Sequence, residues 1–112
     1  MLPKTQRLNL KKDFKWVAQG KKLETKYLKL FIKVGENPTP RIGIASSSKT
    51  FKKATDRNRA RRLVSQAFQS IIQQLPSDIN IVALPKVGVI SVKSGDILSD
   101  LEETFKNAKI IS

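Results

Sequence analysis

The stretch Asp56-Arg57-Asn58-Arg59-Ala60-Arg61-Arg62-Leu63-Val64-Ser65-Gln66-Ala67-Phe68-Gln69-Ser70-Ile71-Ile72-Gln73-Gln74-Leu75 carries two messages in one segment. Its second half places Leu63, Val64, Ala67, Phe68, Ile71, Ile72 and Leu75 in an i, i+1, i+4, i+5 rhythm, the apolar stripe of a helix laid on a sheet, and Pro76 ends it. Its first half packs four arginines into six residues behind a single acid, Asp56. Four guanidiniums cannot share a core, because each buried charge needs its own partner. At about 100° per residue, Asn58, Arg61 and Arg62 fall mainly outside the apolar stripe. The segment predicts a helix, capped by Thr55 or Asp56, whose second half anchors it while its first half shows cations to solvent or to a polyanion.

Upstream, Leu10, Phe14, Val17 and Ala18 recur at helical spacing between Asn9, a candidate N-cap, and Gly20, a candidate stop, which predicts a first helix. Residues 27–34 alternate, with Leu28, Leu30, Ile32 and Val34 on one side and Tyr27, Lys29, Phe31 and Lys33 on the other, the pattern of a strand with two different faces. A turn rich in Gly and Pro (35–40) separates it from a second strand over 41–46. The polar, lysine-bearing residues 46–55 read as a loop into the arginine helix. Downstream, the apolar run 79–84 suggests a central strand covered on both faces. Residues 85–92 read as loop or weak edge strand. Ser94-Gly95-Asp96 opens a last helix with Ile97, Leu98, Leu101, Phe105 and Ala108 on one face. The order helix, strand, strand, helix, strand, helix predicts an α+β sandwich in one domain over 1–112, with helices on one side of a small mixed sheet.

Charge narrows the partner. The chain has a net charge of +13, and residues 1–62 hold 18 of its 22 Lys/Arg but 4 of its 9 acids. A basic half backed by a neutral one argues for a single face that binds nucleic acid. Histidine and cysteine are absent, which removes imidazole acid/base catalysis, thiolate nucleophiles, disulfides and the usual zinc ligands. No apolar run approaches the roughly 20 residues of a membrane span, and the first residues lack the apolar block of a signal peptide, so the expected location is the cytoplasm.

Two constellations carry possible chemistry. Like charges crowded at a helix N-terminus repel one another and oppose the helix dipole, so a solvated helix start explains the arginines poorly. Guanidiniums clamp phosphate oxygens bidentately, and Asn58 adds donors for phosphate or ribose. The strand face Tyr27, Lys29, Phe31, Lys33 interleaves aromatics with lysines, which suits single-stranded nucleic acid: rings stack on unpaired bases while ammonium groups follow the backbone. Packing of the rings beneath the first helix is the alternative, and both hold if Phe14 and Phe31 line a shared groove. Trp16 is either a further stacking platform or a structural tryptophan. Asp96, Asp100 and Glu103 stand at helical spacing, but acids in a first helical turn ordinarily complement the dipole, and they give no convincing metal site. No polypeptide active site emerges.

These residues resemble the protein subunit of bacterial ribonuclease P. The resemblance is carried by Arg57-Asn58-Arg59-x-Arg61-Arg62-Leu63-Val64-x-Gln66-Ala67-Phe68, similar to that family's RNR helix. It is supported by Leu10-x-x-Asp13-Phe14-x-x-Val17-x-x-Gly20, by Arg41-Ile42-Gly43-Ile44 with Ser48-Lys49 following, and by the strand 79–84. It implies a ribosomal protein S5 domain 2-like fold in which parallel strands are joined by a left-handed crossover, where general handedness rules favour the right-handed one. It implies a polypeptide that assists a ribozyme whose RNA, with Mg²⁺, hydrolyses the phosphodiester that releases the 5′ leader of precursor tRNA, with no cofactor bound by the polypeptide alone. By position, Arg57, Asn58, Arg59, Arg61 and Arg62 would adjoin the catalytic RNA, supported by Lys49, Lys52 and Lys53. A cleft between the first helix and the sheet would hold the leader at Phe14 and Phe31, with Lys29 and Lys33 at its rim. Ala18 stands where many members carry a second cleft aromatic, so stacking on the leader is expected to be weaker or supplied by Trp16. Ser65 and Lys52 also depart from the commoner pattern. A small ribosomal or nucleoid protein without a processing role is the alternative that charge alone allows.

Overall fold

The computed structural model describes residues 2–111, in the order α1 (Leu10–Ala18), β1 (Lys21–Glu24), β2 (Leu28–Val34), β3 (Arg41–Ile44), α2 (Ala54–Ile71), β4 (Ile79–Pro85) and α3 (Ser94–Asn107). Short 3-10 turns occupy Lys4–Gln6, Ile72–Gln74 and Val87–Ser91. The four strands form one sheet in the order β1-β2-β4-β3. β2 and β4 run antiparallel with Phe31 opposite Val82 and Ile32 opposite Ile81, while β3 pairs with β4 in parallel. A parallel pair needs a long crossover, and α2 supplies it. β4 is central, and six of its seven residues are buried, which is why its sequence is continuously apolar instead of alternating.

Each face of the sheet has its own core. Leu28, Leu30, Ile32, Ile81 and Ala83 meet Val64, Phe68 and Ile71 of α2 and Ile97, Leu101 and Phe105 of α3. The rings of Phe68 and Phe105 tilt against each other at 6.5 Å. The opposite face carries a smaller core in which Leu8, Val17 and Val82 are buried, flanked by Leu10, Phe14, Phe31 and Leu84. Helices therefore lie on both sides of the sheet, α1 alone on one and α2 with α3 on the other. The expectation of helices on one side only is corrected. An α1 stripe of few apolar residues is enough for a second core because the outward face of β2 and β4 is itself apolar at Phe31, Val82 and Leu84.

The predicted α1 and α3 have the expected starts: Asn9 Oδ1 accepts the Lys12 N–H at 3.3 Å, and Asp96 Oδ2 accepts the Lys93 N–H at 3.0 Å. α1 ends at Ala18, and residue 20 after it must be glycine because a Cβ there would run into the Ile32 carbonyl. Other boundaries differ from expectation. α2 begins at Ala54, with Lys53 in the N-cap position two to three residues ahead of the expected Thr55 or Asp56, and has no side-chain cap. Leu75 is buried but lies beyond the 3-10 turn that finishes α2. Of the two readings for residues 85–92, loop or weak edge strand, the non-strand one holds beyond Pro85: residues 87–91 form a 3-10 turn seated by buried Val89. Tyr27 precedes β2 and packs with the α2/α3 core, so it leaves the Lys29–Phe31–Lys33 face. Val34, at the strand end, is 63% exposed. β1 had no periodic signal, since Lys21-Lys22-Leu23-Glu24 is a charged edge strand, the composition that discourages further pairing.

Candidate nucleic-acid interface

The basic half of α2 is held by its own backbone contacts before any partner arrives. The Arg57 guanidinium donates to the carbonyls of Phe51 at 2.9 Å and Lys52 at 3.2 Å, and the Ser46 hydroxyl donates to the Arg57 carbonyl at 3.2 Å. Phe51, 2% exposed, is the apolar pin of this loop, whose turn is closed by the Thr50 N–H on Ser47 Oγ. The preceding loop is thus built against α2, and Lys49, Lys52 and Lys53 project from it exposed.

The other arginines fan around the helix. Arg59 donates from Nε to the Ile90 carbonyl at 3.1 Å, on the flank facing the 3-10 turn. Arg61 lies on the opposite flank, where its guanidinium meets the Asn58 side-chain carbonyl. Arg62 rides the outward ridge, exposed and without a hydrogen bond or ion pair among the described residues. Arg57 is half-buried and already engaged, whereas Arg59, Arg61 and Arg62 are exposed. None of the four guanidiniums enters the core, yet two of them, Arg57 and Arg59, carry backbone bonds that shape the surface, while Arg61 and Arg62 keep most of their donors. Among the described residues the one ion pair is Lys86–Glu24, at 3.1 Å, so the cationic surface is not neutralised internally.

The second constellation sits on the α1 side of the sheet. Phe14 from α1 and Phe31 from β2 are both half-buried against the same small core, so packing and partial exposure coexist. Lys29, two residues along β2 on the same face, is exposed beside Leu84. Beyond it opens a recess of about 570 Å³ lined by Lys29, Lys49 and Lys86, with Leu84 and Pro85 among its apolar walls. The fold therefore brings Lys29 of the strand and Lys49 of the loop to one basin. Lys86 belongs to it too; its place in the weakly charged half of the chain hid it from sequence reasoning. The Lys86 ammonium beside Glu24 holds that carboxyl below its usual range, with Lys29 and Lys22 adding to the effect.

At the other end of the strand, Lys33 is half-buried with its ammonium 5.0 Å from the centre of the Trp16 ring. Trp16 is 39% exposed, and its ring sits so close to Gly35 that a Cβ there would approach it to 2.9 Å. The pair thus lies toward the Gly35 end of β2, away from the Lys29 end, and one face of the indole is occupied by Lys33.

Two of the α3 acids, Asp96 and Asp100, have structural tasks. Both carboxylate oxygens of Asp100 accept backbone N–H groups, from Lys26 at 3.2 Å and Tyr27 at 3.1 Å, and Asp96 caps α3. A hard cation such as Mg²⁺ takes several converging oxygen ligands. No group of three such candidate ligands converges among the described residues. Nor is any described helix long and apolar enough to cross a membrane.

The family model for ribonuclease P matches residues 2–109. The chain belongs to the ribonuclease P protein family. It is 33% identical to the ribonuclease P protein component of a Pseudanabaena species over 99% of this chain and 97% of that one. It is 35% identical to the corresponding protein of Pseudoalteromonas atlantica over 70% of this chain and 65% of that relative. The solved ribonuclease P protein of Thermotoga maritima superposes with a TM-score of 0.78 at 26% identity, covering 90% of this chain and 96% of that one. The α+β architecture is accordingly shared with the solved ribonuclease P protein.

Proposed function

We propose that this protein component of ribonuclease P is a two-surface adaptor. The N-terminal half of α2 and its preceding loop bind the catalytic RNA, and the α1 side of the sheet guides the single-stranded 5′ leader of precursor tRNA. Arg61 and Arg62 make the principal phosphate contacts, Asn58 and Arg59 flank them, Arg57 holds the loop in place, and Lys49, Lys52 and Lys53 add cationic reach. The leader lies across Phe14 and Phe31 with Lys29 on its backbone, and Trp16 with Lys33 marks the far end of the track. Phosphodiester hydrolysis belongs to the RNA subunit and its Mg²⁺, in the cytoplasm, and the polypeptide contributes binding and orientation.

The observation that carries this reading is the half-exposure of Phe14 and Phe31 over one small core with Lys29 beside them. Rings that stack on bases must be both anchored and open, and Phe14 and Phe31 meet both conditions. The spread of un-neutralised cations over α2 supports the second surface. Incubating RNA-free protein with precursor tRNA and Mg²⁺ tests the division of labour. No cleavage is expected until the catalytic RNA is added; cleavage by the polypeptide alone would contradict it.

A further inference from the structure

At the edge of the sheet beside β3, the N-terminal segment, the first turn of α1 and α2 enclose a pocket of about 190 Å³. Its inner wall is apolar, with Leu8 and Ile42 buried and Leu10 and Ile44 half-buried. Two exposed guanidiniums, Arg7 and Arg61, stand at its rim, and no carboxylate lines it. Each guanidinium is already oriented, Arg7 by the Leu2 carbonyl at 2.8 Å and Arg61 by the Asn58 side chain, with further N–H donors left over. The Leu8 N–H bonds the outward Ile42 carbonyl, and the Ala45 N–H turns inward to Ala83. Alternation along the strand therefore points the Ile44 peptide groups outward at the same edge.

An apolar cavity of about 150 Å³ accommodates a benzene ring. The pocket beside β3 is larger, open on one side, and ringed by cations, so it matches a planar aromatic group that carries negative charge next to it. An apolar peptide side chain would satisfy the wall and leave both guanidiniums facing neutral surface. A nucleotide satisfies both. Resting on the reading that α2 adjoins the catalytic RNA, we propose that this pocket takes the base of one unstacked nucleotide of that RNA, while Arg7 and Arg61 bind the phosphates on either side of it.

Filling the pocket without touching its charges tests this. Ser65, 4% exposed, forms part of the wall from α2. Ser65→Leu, and independently Ile44→Phe on β3, should weaken binding of the full chain to the catalytic RNA about tenfold, the scale of one base contact, while leaving the salt dependence unchanged. Arg7→Gln should weaken binding and also flatten the salt slope by about one phosphate. Unchanged melting temperatures establish that each variant is folded. Millimolar adenosine 5′-monophosphate should shift the methyl NMR signals of Leu8, Ile42 and Ile44, and ribose 5-phosphate should not; equal shifts from both, or none from either, would overturn base insertion. Arg62→Ala, outside the pocket, separates the two levels. If it weakens binding while folded Ser65→Leu and Ile44→Phe do not, the pocket inference alone is wrong. If none of the three matters, the RNA-facing reading of α2 fails with it.

Discussion

The guanidinium of Arg57 reaches back over one turn of chain to the carbonyl oxygen of Phe51, 2.9 Å away, and ties the basic loop to the helix that follows it. The most conspicuous cluster of charge in the sequence is therefore partly a piece of architecture. Arg57→Ala should lower stability by about 1.5–3 kcal/mol, the range for hydrogen bonds to a charged group, in urea titrations. Arg62→Ala, which removes no internal bond, should stay within about 0.5 kcal/mol of the parent. Equal destabilisation by the two would mean the Arg57 contacts carry no weight.

Binding should show the reverse order. Arg61→Ala or Arg62→Ala is expected to weaken association with the catalytic RNA by about 1–3 kcal/mol and to reduce the slope of log affinity against log salt by about one phosphate contact. Titrations at several salt concentrations read both quantities, and an unaltered slope would show that these side chains do not touch phosphate.

Phe31 and Phe68 offer a second contrast. Phe68 is fully buried against Phe105, so Phe68→Ala should cost about 3–5 kcal/mol. Phe31 is only half-buried, so Phe31→Ala should cost clearly less while reducing preference for leader-bearing substrate. Thermal melts and substrate binding, measured on the same preparations, separate the structural role from the functional one.

Gly20 is required by a neighbour on β2. Because a methyl group there would collide with the Ile32 backbone carbonyl, which cannot swing aside, Gly20→Ala should destabilise by roughly 2–3 kcal/mol in denaturant unfolding. A neutral result would mean that α1 and β2 move apart freely, against the tight junction described here.

Acid stability has a defined sign. The Lys86 ammonium lowers the Glu24 pKa in the folded chain, so their pairing contributes above the ordinary glutamate value of about 4.3 and is lost as pH falls through the lower folded value. Glu24 is exposed and Lys86 partly so, and the contribution is small. Melting temperatures of the parent and Glu24→Gln should converge at the acid end and differ slightly near neutrality; a growing difference toward low pH would reverse the assignment. With no histidine in the chain, RNA affinity should not titrate between about pH 6 and 7.

Much of this was legible in the sequence. The arginine helix, the two-faced β2 and the central β4 follow from periodicity, because each buries an apolar face that the sequence must encode. β1 was illegible, since an edge strand held by backbone pairing to β2, with Leu23 as its single apolar contact to the core, leaves no alternation to read. The placement of α1 on the opposite face was also hidden, because a stripe states that a helix is covered and not by which side of the sheet. At the interface, residue types announced a polyanion partner. Which arginines bend inward to carbonyls of Phe51 and Ile90, and that Lys86 joins Lys29 and Lys49, depend on contacts between residues far apart in the chain, where single-sequence periodicity is silent.

The most direct measurement is the affinity of the protein assembled with its catalytic RNA for precursor tRNA bearing a 5′ leader, set against mature tRNA, for the parent chain and for Phe31→Ala. Tighter binding of the leader-bearing substrate by the parent, with the difference shrinking in a folded Phe31→Ala, is the expected result. Equal affinity of the parent assembly for both substrates would contradict leader capture by the sheet.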